Sequence, residues 1–352
     1  MTAQTMPAQP VEDTTLRPLR WRRMGGVIWR QHRYALASVA TLLGALAVAL
    51  WIAGLQLHHA YASAAACHPA GSVSCQALVN TFNGMDTFLS NGVILQVVPP
   101  LIGAFVGAPV LARELETGTF RYAWTQGFGR WRWALAKLVP LAVLLAAATA
   151  AFGALLSWYY QPYFATGNQA LGLNELSPFN AGLFGLHEVT FPAWTLAAFA
   201  VGALAGMLIR RVVPAIAATL AVYTGLAFAA GVFLREHYLT PLVTSSLNLP
   251  GSATIVSQWG TKDGKFAFAF NHGLPPMSVI PASCPGPLGG GQQKPTLGSL
   301  LQCIVQQGYT LWTRYQPGSR FWPFQWIEGG WLLALSVLLI TATIWLVRRR
   351  AT

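Results

Sequence analysis

The sequence predicts an all-α membrane protein with six transmembrane helices. Of its 352 residues, 54% are hydrophobic and only 9% are charged, whereas a soluble domain carries about 25% charged residues. Apolar runs long enough to cross a hydrocarbon core of about 30 Å occur at residues 35–55, 91–111, 138–158, 190–209, 212–234 and 328–347. The chain therefore lacks the polar surface of a soluble protein.

The net charge of +12 could indicate a nucleic-acid partner, but its distribution indicates membrane topology. Sixteen of the 22 Lys and Arg residues lie in segments on one side of the predicted spans, namely 1–35, 113–137, 210–211 and 348–350. Basic residues beside a span keep that end in the cytoplasm. We therefore predict a multi-pass protein of the plasma membrane with both termini in the cytoplasm, in contact with lipid headgroups and without a nucleic-acid partner.

Residues 1–34 are predicted to form a cytoplasmic tail that ends in an interfacial helix. Within 16–34, Arg alternates with Trp, Leu, Val and Ile, and both Arg stems and Trp rings suit the headgroup layer. We favour an amphipathic helix along the inner leaflet over a basic tail that only sets the topology. Residues 35–234 then hold the first five spans.

The segment 113–137 between spans two and three is unusually basic. It contains five Lys or Arg in 25 residues, whereas the flanking runs 93–111 and 138–158 contain none. Gly118, Gly127 and Gly129 would divide a helix there into short pieces. Two interpretations are open: a small element on the inner face that docks onto a cytoplasmic partner, or a connector that only obeys the charge rule.

Two motifs near the spans have structural interpretations. Pro99 and Pro100 are expected to kink or unwind span two near the middle of the membrane. His187 and Glu188 precede span four and are expected to cap it. A zinc-protease interpretation of this pair fails because position 191 is Phe191 and no second His stands in register.

The four cysteines, Cys67, Cys75, Cys284 and Cys303, all fall on the side that we predict to be external. An even number of cysteines on an oxidising face indicates disulfides. Three pairings are possible, and Cys67–Cys75 with Cys284–Cys303 closes the shortest loops. A metal site near Cys67 is the weaker alternative because no tight ligand spacing recurs.

Residues 235–327 form the largest polar region and are predicted to be an extracellular domain. A region of this size can fold around a disulfide. Residues 328–352 then provide the sixth span and a basic cytoplasmic tail.

The sequence contains no Gly-x-x-x-x-Gly-Lys-Ser/Thr motif, so we expect no P-loop ATPase site, no enzyme activity and no cofactor in this chain. No Asp, Glu, Lys or Arg lies well inside a predicted span, and Glu328 sits at the edge of one. Ion-coupled carriers usually need such groups. A transport function would therefore require energy from a partner.

The segment 113–137 resembles the loop signature of exporter-type (type-2) ABC transporter permeases. It begins with Arg-Glu-x-Glu-x-Gly-Thr at 113–119, continues through Trp-Thr-Gln at 124–126, and closes with Arg130 and Lys137. Its Arg-Trp-Arg-Trp variant and the stretch 208–215 are similar to those of actinobacterial permeases. The resemblance covers essentially residues 16–350, but 235–327 departs from the family pattern and leaves the cargo undefined.

The resemblance implies the permease subunit of an ATP-driven exporter. Two copies would pair, and each would bind a separate P-loop ABC ATPase that holds ATP and Mg. The cargo would be an amphiphilic small molecule, lipid or peptide, as in multidrug export. A coupling helix in 113–137 would contact the ATPase, with these residues involved: Arg113, Glu114, Glu116, Thr117, Gly118, Thr119, Arg121, Gln126, Arg130 and Lys137.

A substrate path is the least specific of these predictions. Packing against protein or lipid is the alternative for every residue proposed to line it. The residues are Phe88, Gln96, Val97 and Phe105 in span two, and Tyr223 and Phe228 in span five.

Two other function classes remain open. A membrane-anchored sensor or assembly protein would bind a ligand through 235–327 and would need no ATPase. A membrane enzyme would need a catalytic cluster in that region, where the only candidates are His237, Asp263, Lys265 and His272.

Overall fold

The computed structural model describes residues 21–69, 72–85, 92–119, 130–165, 173–174, 176–247, 249–270, 276, 280, 284 and 297–350. Within these residues, six helices are long and apolar enough to cross a membrane, which confirms the predicted number of spans. Spans one to six are Arg33–Ala65, Ile94–Thr117, Arg130–Phe164, Thr190–Ile209, Val212–His237 and Gly318–Arg349. The limits of span four coincide with those predicted.

The spans are built from α-helices joined by tighter or wider helical turns. The α-helices are α1 Trp21–Ala65, α2 Val73–Gly84, α3 Val98–Ile102, α4 Ala108–Thr117, α5 Arg130–Tyr160, α6 Thr190–Ile209, α7 Val212–Ala229, α8 Leu297–Gln306 and α9 Phe321–Arg350. The β-strands are β1 Leu242–Thr244, β2 Thr254–Lys262, β3 Lys265–Phe270 and β4 Tyr309–Gln316.

Helix α1 runs without interruption for 45 residues. The predicted interfacial helix at 16–34 is therefore not a separate element in its described part, because the helix continues from Trp21 directly into span one. No Pro occurs in α1 to end the helix at the predicted boundaries. It also extends ten residues past the predicted end of span one at residue 55.

The two prolines do not interrupt span two, which stays helical throughout. A 3₁₀ turn at Val93–Val97 precedes α3, where Pro99 and Pro100 fall in the first turn. The amide hydrogen that proline lacks would have no helical partner in that turn. A π turn at Gly103–Gly107 then leads into α4. The expected kink thus takes the form of a change in helical winding.

Span four is the central element and is the most buried of the six spans. It packs against spans two, three, five and six. Gly103 and Gly107 on span two face the backbone of Ala198 and Phe199 on span four. Small residues allow two helix backbones to approach closely in a membrane.

The region 235–327 contains a four-stranded antiparallel sheet, so the prediction of an all-α protein is wrong there. The strand order is β1-β4-β2-β3, and Trp259 of β2 pairs with Trp312 of β4. These strands are rich in β-branched and aromatic residues, which favour pleated structure over helix. One face of the sheet packs against α8 through a core of Phe268, Phe270, Leu300, Ile304 and Leu311.

The alternation of the spans gives the molecule two ends. The sheet end carries both disulfides, Cys67–Cys75 and Cys284–Cys303, so the predicted pairing is confirmed. The opposite end, called here the loop end, carries residues 113–119, the start of α5 and the Arg210–Arg211 turn. Arg210 adopts a left-handed conformation, with φ of 58°, and this closes the connection between spans four and five in two residues.

Candidate functional site

At the loop end, span two is tied to span three by a buried ion pair. The ammonium of Lys137 donates a hydrogen bond to the carboxylate of Glu114. Both side chains are almost inaccessible to solvent, and the Lys137 ammonium also lies 4.7 Å from the centre of the Trp133 ring. Removing either partner would leave a buried charge without its counter-ion.

A second carboxylate on the same helix end reaches span five. Glu116 accepts a hydrogen bond from the backbone N–H of Val212 at 3.0 Å, and Val212 is the first residue of α7. A carboxylate is favourable at this position because the first N–H groups of a helix have no helical partner and carry partial positive charge. Glu114 and Glu116 thus connect one helix end to two other spans.

The remaining described coupling candidates lie around this helix end. The Thr117 hydroxyl donates a hydrogen bond to the carbonyl of Arg113 at 2.9 Å. The hydroxyls of Thr117 and Thr119 lie 3.0 Å apart. Gly118 ends α4 with a φ of 73°, a conformation that glycine adopts without strain. Arg113 and Thr119 are exposed.

In the structure, both ends of the segment 113–137 belong to membrane-spanning helices. Residues up to Thr117 continue span two, and residues from Arg130 onward already belong to span three. Arg121 and Gln126 lie outside the described residues, together with the rest of 120–129. A coupling helix in that interval stays a prediction.

At the sheet end, a buried carboxylate joins spans four, five and six. Glu328 is fully buried and accepts two hydrogen bonds from Arg235, from Nε at 2.8 Å and Nη2 at 2.7 Å. It also accepts from Trp194 Nε1 at 2.8 Å and from the Tyr238 hydroxyl at 3.2 Å. Trp331 Nε1 donates to that hydroxyl at 2.9 Å. Every strong acceptor site of the carboxylate is therefore used.

Sequence reasoning missed this network. Glu328 lies at the edge of the predicted span six, but in the structure it is the eighth residue of α9 and entirely buried. A usable signal was the presence of Arg235 at the end of the neighbouring span, since a buried charge needs a partner of opposite sign. Burial, followed by the nearby Glu328 charge, raises the pKa of Tyr238, so this phenol stays protonated.

Beside this network lies a cavity of about 230 Å³. Two predicted path residues, Gln96 and Tyr223, line it together with Trp194 and Arg235. The structure therefore brings these two residues together at one cavity within a single copy of the chain. The Gln96 side-chain amide donates to the carbonyl of Ala181 at 2.6 Å.

The other described path residues, Val97, Phe105 and Phe228, are not part of the cavity. Val97, Phe105 and Phe228 are exposed on the outer surface of spans two and five. Phe88 lies outside the described residues. The five described residues thus do not form one continuous path within a single copy.

The three described enzyme candidates at the sheet end do not assemble into a cluster. His237 is exposed and its Nδ1–H lies where it can donate to the carbonyl of Phe233 at 2.7 Å. Asp263 and Lys265 flank the exposed β2–β3 turn, and His272 lies outside the described residues. In the part of the chain that the structure describes, no group of three His, Cys, Asp or Glu residues could hold a metal ion.

His187 does not cap span four, contrary to the expectation from sequence. Its ring is buried, with the Phe321 ring 4.7 Å away and the Ser157 hydroxyl 3.4 Å from Nδ1. The contribution of His187 to span four comes from its backbone carbonyl, which accepts from the N–H of Phe191 at 2.9 Å. Burial lowers the pKa of His187 from 6.5 to about 4.

The low pKa of His187 predicts acid sensitivity. The unfolded chain takes up a proton at this His below about pH 6.5, whereas the folded protein does not until the pH approaches 4. As the pH is lowered through this range, the free energy of unfolding should therefore fall by about 3 kcal/mol in total. Unfolding curves in detergent from pH 4 to 7 would measure this slope.

Two variants test whether His187 causes this pH dependence of the free energy of unfolding. His187→Gln should remove this part of the pH dependence, and His59→Gln should leave it in place because His59 is exposed. An unchanged slope in His187→Gln would show that burial of His187 is not its cause.

Comparison with known families gives one match. Residues 40–235, more than half of the chain, match the model of a family described as ABC-2 membrane transporter related. The matched region contains most of span one, spans two to four, nearly all of span five and the whole segment 113–137. No curated protein and no solved structure matches the chain.

Proposed function

Because the chain belongs to the ABC-2 membrane transporter related family, it is a permease component of an ABC transporter, and we propose that it exports its cargo with energy from a separate P-loop ATPase. The observation that carries the proposal is the pair of carboxylate links at the loop end. Glu114 and Glu116 fix the end of span two to spans three and five. A displacement applied at this point acts on three spans at once.

The links made by Glu114 and Glu116 are suited to a segment that transmits a displacement from a bound partner to the spans. Thr119 and Arg113 are exposed beside them and are available for contact with an ATPase. When ATP binding displaces the loop end, the ion pair of Glu114 prevents span two from moving without span three. A partner can shift such an equilibrium only through contacts that differ between the two states.

The loop end is the cytoplasmic end in this proposal. Arg30, Arg33, Arg113, Arg130 and Arg211 are among the described basic residues at this end, and basic residues beside a span favour the cytoplasmic side. Both disulfides lie at the opposite end, which suits an oxidising exterior. ATP and Mg would bind to the partner, since the sequence contains no Walker A motif.

Two copies of the chain would form the transport path between them. Val97, Phe105 and Phe228 are 49%, 59% and 62% exposed on adjacent spans, so they are available to a second copy, to lipid or to cargo. A charge-free apolar surface of this kind suits an amphiphilic small molecule, lipid or peptide. A soluble ion would find no partner on it.

Co-purification tests the proposal. A tagged wild-type chain in mild detergent should bring down a P-loop ATPase that hydrolyses ATP. Glu116→Gln should retain the ATPase but lower its hydrolysis rate by about fivefold, because it weakens one hydrogen bond to span five that is worth about 1 kcal/mol. Glu236→Gln, at an exposed position of the sheet end, is the matched control and should behave as wild type.

The outcome that would refute the proposal is the absence of any ATPase from the wild-type preparation in several detergents. Equal hydrolysis rates in the Glu116 and Glu236 variants would leave the permease assignment intact but would remove Glu116 from the coupling pathway.

A further inference from the structure

The cavity beside Glu328 lies inside a single copy of the chain, between spans two, four and five. Its walls include Pro99 of span two, Leu186, Trp194 of span four and Ala227 of span five. Its volume of about 230 Å³ exceeds the roughly 150 Å³ of an engineered cavity that binds benzene. A single aromatic ring with a short substituent therefore fits.

Three polar groups at this cavity have unused hydrogen-bonding capacity within the described part of the chain. Tyr223 is only 8% exposed, lines the cavity and has no hydrogen-bond partner for its hydroxyl among the described residues. Arg235 uses Nε and Nη2 on Glu328, which leaves Nη1 as a donor. Gln96 donates through its amide nitrogen to Ala181, which leaves its side-chain oxygen as an acceptor. These groups are the polar contacts that the cavity offers to a bound molecule.

The charges at the cavity are balanced. The positive charge of Arg235 is matched by Glu328 in a two-bond contact, and the same carboxylate is further satisfied by Trp194. An anion would have to compete with Glu328 for Arg235, and a cation would find no free carboxylate. The aromatic walls, Trp194 and Tyr223, lie edge to face with their ring centres 5.4 Å apart and suit a planar apolar body.

We propose that this cavity is a binding site for a small neutral molecule with one aromatic ring and one amide, carbonyl or hydroxyl group, of about ten non-hydrogen atoms. The ligand oxygen accepts a hydrogen bond from Arg235 Nη1 or from the Tyr223 hydroxyl. A ligand N–H or O–H donates to the side-chain oxygen of Gln96. The site is separate from the transport path proposed above, which lies between two copies.

Binding can be measured on the purified full-length chain in lipid nanodiscs. The probe is 4-fluorobenzamide, observed by broadening of its fluorine NMR signal, with empty nanodiscs as the blank for membrane partitioning. The wild-type chain should broaden the signal in a saturable way, and unlabelled benzamide should reverse the effect.

A cavity-filling variant locates the probe. Gly231 lines the cavity, and a Cβ atom added there meets no heavy atom within 4 Å, so Gly231→Leu places a bulky side chain at the cavity wall without forcing the fold apart. It should weaken binding at least tenfold. Gly225→Leu is the matched control on the same span, because its position is equally open and does not line the cavity. Equal binding by both variants, or equal broadening by empty nanodiscs, would overturn the proposal.

Charge and hydrogen bonding are tested with matched compounds and variants. Benzamide, benzoate and benzamidinium have nearly the same shape but differ in charge, and benzamide should compete at least tenfold better than either ion. Tyr223→Phe should weaken benzamide binding severalfold, whereas Tyr61→Phe, on span one, should not. Benzoate as the strongest competitor would contradict the neutral class. These measurements need no ATPase, so their failure and the failure of the transporter proposal are distinguishable.

Discussion

Replacement of Glu328 by Gln is expected to lower the free energy of unfolding by about 3 kcal/mol, the cost of breaking a buried ion pair from one side. The substitution keeps the shape of the side chain but removes its charge. Arg235 then loses a two-bond counter-ion in a largely buried position. Trp194 and Tyr238 also lose a charged acceptor, and hydrogen bonds to charged groups are the stronger ones.

Denaturant unfolding in detergent, followed by tryptophan fluorescence, would measure the effect of Glu328→Gln. Glu236→Gln is the control, since it removes the same charge from an exposed position of the adjacent segment. The double variant Glu328→Gln with Arg235→Gln should recover part of the loss because it leaves no unpaired charge. A single variant as stable as wild type would mean that the network does not hold spans four to six together.

The second large effect is expected at Gly202, where spans two and four make their closest approach. A Cβ atom at this position would collide with the carbonyl oxygen of Gly103 and would lie 2.8 Å from the backbone nitrogen of Ala108. Backbone atoms of a helix cannot move aside as a side chain can. Gly202→Ala should therefore separate the two helices and lower the free energy of unfolding by about 3 kcal/mol.

Gly225→Ala is the matched control for Gly202→Ala, since both glycines lie in membrane-spanning helices but Gly225 faces open space. The same unfolding assay should show Gly225→Ala to be as stable as wild type. Similar stability of the two variants would show that the close approach of spans two and four is not needed. Because span four also contacts spans three, five and six, a displaced span four should disturb the sheet end as well.

The spans and the disulfides were predictable because their signals are local. An uninterrupted apolar run such as Thr190–Ile209 needs no knowledge of its neighbours, and its ends coincide with the helix found. Cys67 and Cys75 are eight residues apart and Cys284 and Cys303 are 19 apart, so chain proximity favours these pairs.

The contacts that organise the site were not predictable because they join distant parts of the chain. Glu328 meets Arg235 and Trp194 across 93 and 134 residues. The opposite charges of Glu328 and Arg235 indicate that they could pair, but no local pattern establishes the contact. The sheet was missed because β2 and β4 are separated by a region rich in Gly and Pro, which hides the strand alternation. Glu114 and Glu116 were identified from the family resemblance, but their links to Lys137 and Val212 required the structure.

The proposed transport function requires that the loop end, and not the sheet end, receives the ATPase. A photo-cross-linking amino acid introduced at the position of Thr119, which is exposed at the loop end, tests it in intact cells. The control carries the same photo-cross-linking amino acid at the position of Lys265, which is exposed on the sheet. We predict a cross-link between position 119 and a P-loop ATPase and none from position 265. An ATPase cross-link from position 265, or none from position 119, would contradict the account.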